Sequence, residues 1–309
     1  MSRLLAFDSG IGGLGIVGAL RGLRPALEID YLADNQVFPY GELPDDILLH
    51  RLRAVIGTAI ELLRPDAVVV ACNTASTIGL SALRSWFDLP FVGCVPPIKW
   101  AGEISRTRVV GLLATAATVR RPYLRALRER FAPDCTLLAH GARGLADLAE
   151  AAFRGHVPDG PALRREVAAL FEQDGGERID AVGIGCTHYS FLMDALVRAS
   201  PRPVRWLDPA GAVARQALAV LDARTHVGPG PATGTASSDR AGRAFFTATP
   251  FEPDRVAAGL ARFGYRDGFL PFRITGLVSA GAADGVGGDG GEQVAYLAGG
   301  EDRQRLAGP

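Results

Sequence analysis

Residues 68–76, VVVACNTAS, and 181–190, AVGIGCTHYS, each read as an apolar strand running straight into a cysteine, then small polar residues, then a helix. Two thiols at equivalent strand ends are placed to face each other across a cleft. That is the geometry for taking a proton from one face of a carbon and returning one to the other. Around these segments, short apolar runs alternate with helical stretches: LLAF (4–7), IDYLA (29–33), FVGC (91–94), RVVGLLA (108–114), TLLAH (136–140) and VRWL (204–207). Continuous apolar runs suit strands covered on both sides. The expected fold is therefore α/β, with mostly parallel sheets flanked by helices. Between the strands, 47–64 has helical periodicity, with Leu48, Leu52, Val55, Ile56 and Leu63 on one face.

The 309 residues are enough for two domains. VPP at 95–97 and the segment 207–209 mark crossings between them. The first domain is expected to comprise 1–95 plus 208–270 and the second 96–207, each carrying one strand-Cys-helix unit, an internal duplication of architecture. Residues 275–309 read as a flexible Gly-rich tail, with seven glycines between 276 and 291. Thirty-three basic residues balance 33 acidic ones, so nothing favours nucleic acid or an acidic membrane surface, and a small-molecule partner is expected. The N-terminus opens on a strand without a signal core, no run reaches transmembrane length, and a cytoplasmic location is expected.

The four cysteines lie far apart and lack C-x-x-C spacing, so they are expected as free thiols without zinc, Cys94 and Cys135 in the core. The single lysine, Lys99, has none of the setting of a Schiff-base residue, which argues against pyridoxal phosphate. FDSGIGGLG (7–15) places Gly10, Gly12 and Gly15 in dinucleotide-fingerprint spacing with Asp34 after the next strand. Asp8 at the strand end would repel a pyrophosphate; the alternative is a tight strand-to-helix turn. Cys72 at a helix start is expected to gain thiolate character from the helix N-terminus, with Asn73 and Thr74 as neighbouring donors. Cys186 is expected to repeat the arrangement with His188 two residues on. PYGE (39–42) is a turn presenting Tyr40 and Gly41, Thr115 and Thr118 stand at a strand-to-helix junction where capping is expected, and Glu150 lies on a helix with a surface or cleft role open.

DSGIGGLG, DNQVFPYGE, ACNTAS, LLATAATV and GCTHYSFL, in this order and spacing over residues 4 to about 250, resemble the glutamate racemases of the cofactor-independent aspartate/glutamate racemase superfamily. The resemblance implies two α/β domains related by a pseudo-two-fold axis, with substrate between them and neither pyridoxal phosphate nor metal. It implies Cys72 and Cys186 as the catalytic pair, with Asp8 and His188 as their acid/base partners. Ser9, Tyr40, Gly41, Asn73, Thr74, Thr118 and Thr187, together with Asp8 and His188, fall on substrate-binding positions, and Glu150 on an accessory carboxylate. The implied reaction interconverts L- and D-glutamate for peptidoglycan, with a peptidoglycan-precursor effector and a homodimer as candidate partners. An aspartate or broader racemase, a dinucleotide-dependent oxidoreductase and an amino-acid-binding or protein-inhibiting module are the competing readings.

Overall fold

A computed structural model of the chain describes residues 2–225 and 242–274. Among the described residues ten strands form two sheets: β1 (Arg3–Asp8), β2 (Glu28–Ala33), β3 (Ala67–Val70), β4 (Phe91–Gly93), β5 (Val109–Ala114), β6 (Thr136–Gly141), β7 (Ala181–Gly185), β8 (Arg205–Leu207), β9 (Ala244–Phe246) and β10 (Leu270–Pro271). The first sheet runs β10-β9-β2-β1-β3-β4 and the second β6-β5-β7-β8. Every strand pair in both sheets is parallel. Four consecutive strands thus repeat one order, 2-1-3-4, in each lobe, and the first lobe adds β9 and β10 at one edge. The duplication anticipated from the two cysteine segments is one of topology.

Side-chain alternation explains why both faces of each sheet are covered. Leu4, Ala6, Tyr31 and Val69 point to one face of the first sheet, where the helices Leu14–Leu23 and Ala210–Thr225 pack. Leu5, Phe7, Val68 and Val70 point to the other, against the helices Asp45–Leu63 and Asn73–Trp86. The same division holds in the second sheet: Val109, Leu113, Val182 and Ile184 face one layer, and Val110, Leu112, Ala114 and Ala181 the other. Fully burying a Val, Leu or Phe side chain contributes about 1.5–3 kcal/mol. The helix Ala210–Thr225 follows β8 yet packs on the first sheet, so the chain returns there after completing the second lobe. Residues 275–309, expected to be a flexible tail, lie outside the described residues.

The strand order decides where a ligand site forms. The helix after β1 packs on one face of the first sheet, and the helix after β3, its neighbour, packs on the other. Diverging helices leave a crevice beyond the carboxyl ends of those two strands. Asp8 and Cys72 stand at those ends. In the second lobe β5 and β7 are the equivalent neighbours, leading into Thr115 and Cys186. No helix among the described residues is long and apolar enough to cross a membrane.

Candidate active site

The two crevices face each other across one small cavity lined by Ser9, Cys72, Asn73 and Thr74 from the first lobe and Thr115, Cys186, Thr187 and His188 from the second. Tyr40 and Gly41, on a short 3-10 turn, close it from the side with Phe38 and Pro39. The enclosed space is about 20 Å³, on the scale of one water. In this arrangement the space does not hold an amino acid.

The two thiols sit in unequal surroundings. Cys72 caps the helix Asn73–Trp86, with the Ala75 N–H donating to Sγ at 3.5 Å and Ser9 Oγ 4.0 Å away. Ser9 also donates to Asp8 Oδ1 at 3.4 Å, so it stands between thiol and carboxylate. Burial, reinforced by the charge of Asp8, pushes the Cys72 thiol well above its ordinary value despite the Ala75 and Ser9 hydrogen bonds. This corrects the expectation that the helix N-terminus would favour the thiolate: one backbone donor does not offset burial beside a carboxylate. Cys186 does not repeat the arrangement. It leads into a 3-10 turn, Thr187–Leu192, with no backbone donor on its sulfur, and the α-helix begins only at Met193. Its neighbour is instead His188, whose Nδ1 lies 3.9 Å from Sγ.

His188 Nε2 is 3.2 Å from Glu150 Oε1, and the same oxygen accepts from the Ile11 N–H at 2.9 Å. Glu150 therefore ties the second lobe to the turn after β1. Burial opposes charge on the imidazole, yet Cys186, Glu150 and Asp8 together hold His188 well above the ordinary value of 6.5. Asp8 is fully buried and its carboxyl is raised by that burial, against the lowering influence of His188, of the Thr187 hydroxyl at 2.9 Å from Oδ2 and of the Gly10 N–H. Because folded His188 holds its proton above the unfolded value, its contribution to stability is complete below pH 6.5 and is lost as pH rises through the folded value. The stability difference between wild type and His188→Asn is accordingly expected to shrink as pH rises above 6.5, read by thermal unfolding of both proteins across pH 6 to 9.

Asn73 is buried, and neither oxygen nor nitrogen of its amide has a hydrogen-bond partner. A buried amide with both ends unmet is costly in a finished core, and its place on the cavity wall makes it a candidate ligand group. Thr118 is buried one step behind the wall, its N–H donating to Thr115 Oγ1 and its hydroxyl 3.0 Å from that atom. Thr115, read from sequence as a cap, both caps and lines the cavity. Phe38 also lines the cavity, its ring 5.2 Å from that of His188, and its only sequence signal is an aromatic beside the PYGE turn.

Gly10 and Gly12, after β1, are demanded by close contact with the second lobe. A Cβ on Gly10 would come within 2.4 Å of Glu150 Oε1 and 2.7 Å of His188 Nε2, and one on Gly12 within 2.5 Å of His188 Nδ1. Asp34, the other half of the dinucleotide fingerprint, is buried under the Arg51 fork, at 2.6 and 2.8 Å, and accepts from Tyr40 and Thr247 hydroxyls. It has no face left for a ribose. Gly10→Ala is expected to cost about 1–3 kcal/mol by overpacking and to lower activity by displacing His188, measured by denaturant unfolding alongside turnover. Lys99 is exposed on the helix Ile98–Ile104, 3.8 Å from Glu103, and Cys94 and Cys135 are buried in the core.

Residues 16–217 match the Asp/Glu/Hydantoin racemase family. The chain is 55% identical over 219 residues to the glutamate racemase of Granulibacter bethesdensis, covering 71% of this chain and 78% of that one. It is 42% identical over 240 residues to the glutamate racemase of Sphingopyxis alaskensis, covering 77% and 90%. The crystal structure of Escherichia coli glutamate racemase with L-glutamate and the activator UDP-MurNAc-Ala superposes with a TM-score of 0.77 at 36% identity, covering 86% of this chain and 96% of that one. Two parallel sheets joined at their strand ends by a cavity are thus the frame of a known class of isomerase. The chain belongs to the Asp/Glu/Hydantoin racemase family.

Proposed function

We propose that the protein interconverts L- and D-glutamate by a two-base proton transfer between Cys72 and Cys186. The observation that carries this reading is the placement of both thiols on one cavity, each at the end of the equivalent strand of its lobe. The curated relatives and the superposed structure are glutamate racemases, which supports glutamate over aspartate.

In this mechanism one cysteine, as thiolate, removes the α-proton from one face while the other, as thiol, delivers its proton to the opposite face. The roles exchange with the hand of the substrate. The raised Cys72 thiol releases its proton toward Asp8 through Ser9, and the Asp8 carboxyl, itself raised, is the better acceptor for that reason. On the other side the His188 imidazolium, oriented by Glu150, supplies positive charge beside Cys186. Asn73, with its unmet amide, and Thr74, Thr115, Thr187 and Ser9 are the groups that receive the substrate's polar atoms, with Thr118 steadying Thr115. Fixed donors aimed at a carboxylate stabilise charge as the α-carbon loses its proton. Proton transfer contributes about 10²–10⁴-fold and positioning much of the remainder. Tyr40, held by Asp34, and Gly41 shape the pocket wall.

The division into 1–95 with 208–270 and 96–207 is supported by the membership of the two sheets. Supply of D-glutamate for peptidoglycan from the cytoplasm completes the reading, as does a peptidoglycan-precursor effector, supported by the activator bound to the Escherichia coli relative. The test is chiral analysis of L-glutamate incubated with the purified protein without added cofactor. Approach to a racemic mixture is expected; unchanged L-glutamate, with turnover of L-aspartate instead, overturns the assignment.

A further inference from the structure

A wider cavity of about 670 Å³ opens beside the inner one and shares Gly41 and Thr115 with it. Its charged lining comes from both lobes: Glu42 and Asp45 from the first, Arg120, Arg121 and Arg143 from the second. Arg121 grips both oxygens of Asp45, Nη2 donating to Oδ1 at 2.8 Å, so these two charges cancel. Glu42, Arg120 and Arg143 are exposed and make no ion pair among the described residues. The uncompensated set lining the cavity is therefore two guanidiniums and one carboxylate, with Asp147, near enough to Glu42 for their charges to interact, adding negative charge on the Glu42 side. An acidic amino acid carries the inverse set, two carboxylates and one ammonium. A neutral amino acid brings only one carboxylate and leaves a guanidinium unmatched, and a simple dicarboxylate leaves Glu42 unmatched.

We propose that this outer cavity is a docking site for the acidic amino acid, where Arg120 and Arg143 take the two carboxylates and Glu42 the ammonium before the lobes part. The site deepens the glutamate reading and rests on it. The inner cavity, with room for about one water, admits no amino acid in the closed arrangement, so the substrate waits outside the thiols. The Arg121–Asp45 pair ties the lobes across the same rim. A carboxylate docked there competes with Asp45 for Arg121, which couples arrival of the ligand to release of the tie.

The test compares wild type with Arg120→Gln/Arg143→Gln and with Arg164→Gln/Arg165→Gln, which removes the same charge from the exposed face of the helix Gly160–Phe171. Charged clefts raise association rates by about 10-fold or more. The mouth variant is expected to lose about 10-fold in kcat/KM for glutamate at low ionic strength, with kcat nearly unchanged. That loss is expected to close as salt shortens the screening length from about 10 Å at 0.1 M to about 3 Å at 1 M. Glu42→Gln is expected to raise KM for glutamate while strengthening inhibition by glutarate, which has no ammonium. Wild-type kcat/KM and salt dependence in the mouth variant, or an equal loss in the Arg164/Arg165 variant, overturns the docking site and leaves the racemase reading standing. If the wild type does not racemise glutamate at all, the functional reading fails and the docking site falls with it.

Discussion

Cys72→Ser and Cys186→Ser are each expected to abolish racemisation, with a loss well beyond the roughly 10²–10⁴-fold that a general base contributes. A serine hydroxyl is far less acidic than a thiol, so each variant lacks either the base or the acid whichever hand of glutamate is bound. Neither residue has a structural task that serine fails: Cys72 accepts one backbone hydrogen bond through its sulfur, which a hydroxyl reproduces, and both are buried at strand ends without a disulfide. Each variant nevertheless keeps one competent base. Each is expected to eliminate hydrogen halide from a β-halogenated glutamate of one hand only, the two variants choosing opposite hands. Chiral chromatography and halide release together read both outcomes. Normal racemisation by either single variant would end the two-base account.

Asp8→Asn and His188→Asn are expected to lower kcat/KM by about 10²–10⁴-fold each, because in the proposed mechanism Asp8 takes up the Cys72 proton and His188 supplies the positive charge that assists proton transfer at Cys186. The unequal surroundings suggest unequal effects on the two directions, but thermodynamics forbids this in kcat/KM. L- and D-glutamate are equal in free energy, so the ratio of the two kcat/KM values is one for any variant. The asymmetry must appear elsewhere. In His188→Asn, where proton transfer at Cys186 is slowed, the α-deuterium isotope effect is expected to grow for the hand deprotonated by Cys186. In Asp8→Asn it is expected to grow for the other. Progress curves with α-deuterated substrate of each hand decide it; identical isotope effects for both hands in both variants would show that Asp8 and His188 serve the site jointly rather than one thiol each.

The α/β architecture was legible because apolar strand runs and helical periodicity are local properties of the chain. The apolar face read from Leu48 to Leu63 is the buried face of its helix. Arg51 lies on that same face, and only the fold shows why: its guanidinium closes over Asp34, which the sequence offered as a cofactor anchor. The glycines were misleading for a related reason. Gly10 and Gly12 match a phosphate-binding spacing, but what demands them is Glu150 and His188, more than a hundred residues further along the chain. Spacing reports the local turn; it carries no information about which distant side chain approaches it. Thr115 and Thr118 illustrate the same limit, since capping is readable from a strand-to-helix junction but the pairing of the two hydroxyls is not.

The two cysteine segments show where sequence stops. Their strand-end positions, and with them a matched pair of thiols, follow from residues 68–76 and 181–190 alone, because an apolar run broken by small polar residues specifies its own strand boundary. Their electrostatics do not follow. The sequence gives both thiols a similar start, yet Cys72 meets a helix N-terminus and the charge of Asp8, whereas Cys186, equally buried, meets a 3-10 turn and an imidazole braced by Glu150. Burial and charge are sums over everything packed nearby, and those neighbours come from both lobes. The chain determines which groups stand at the strand ends; only the apposition of the two sheets decides which charges and donors surround each of them.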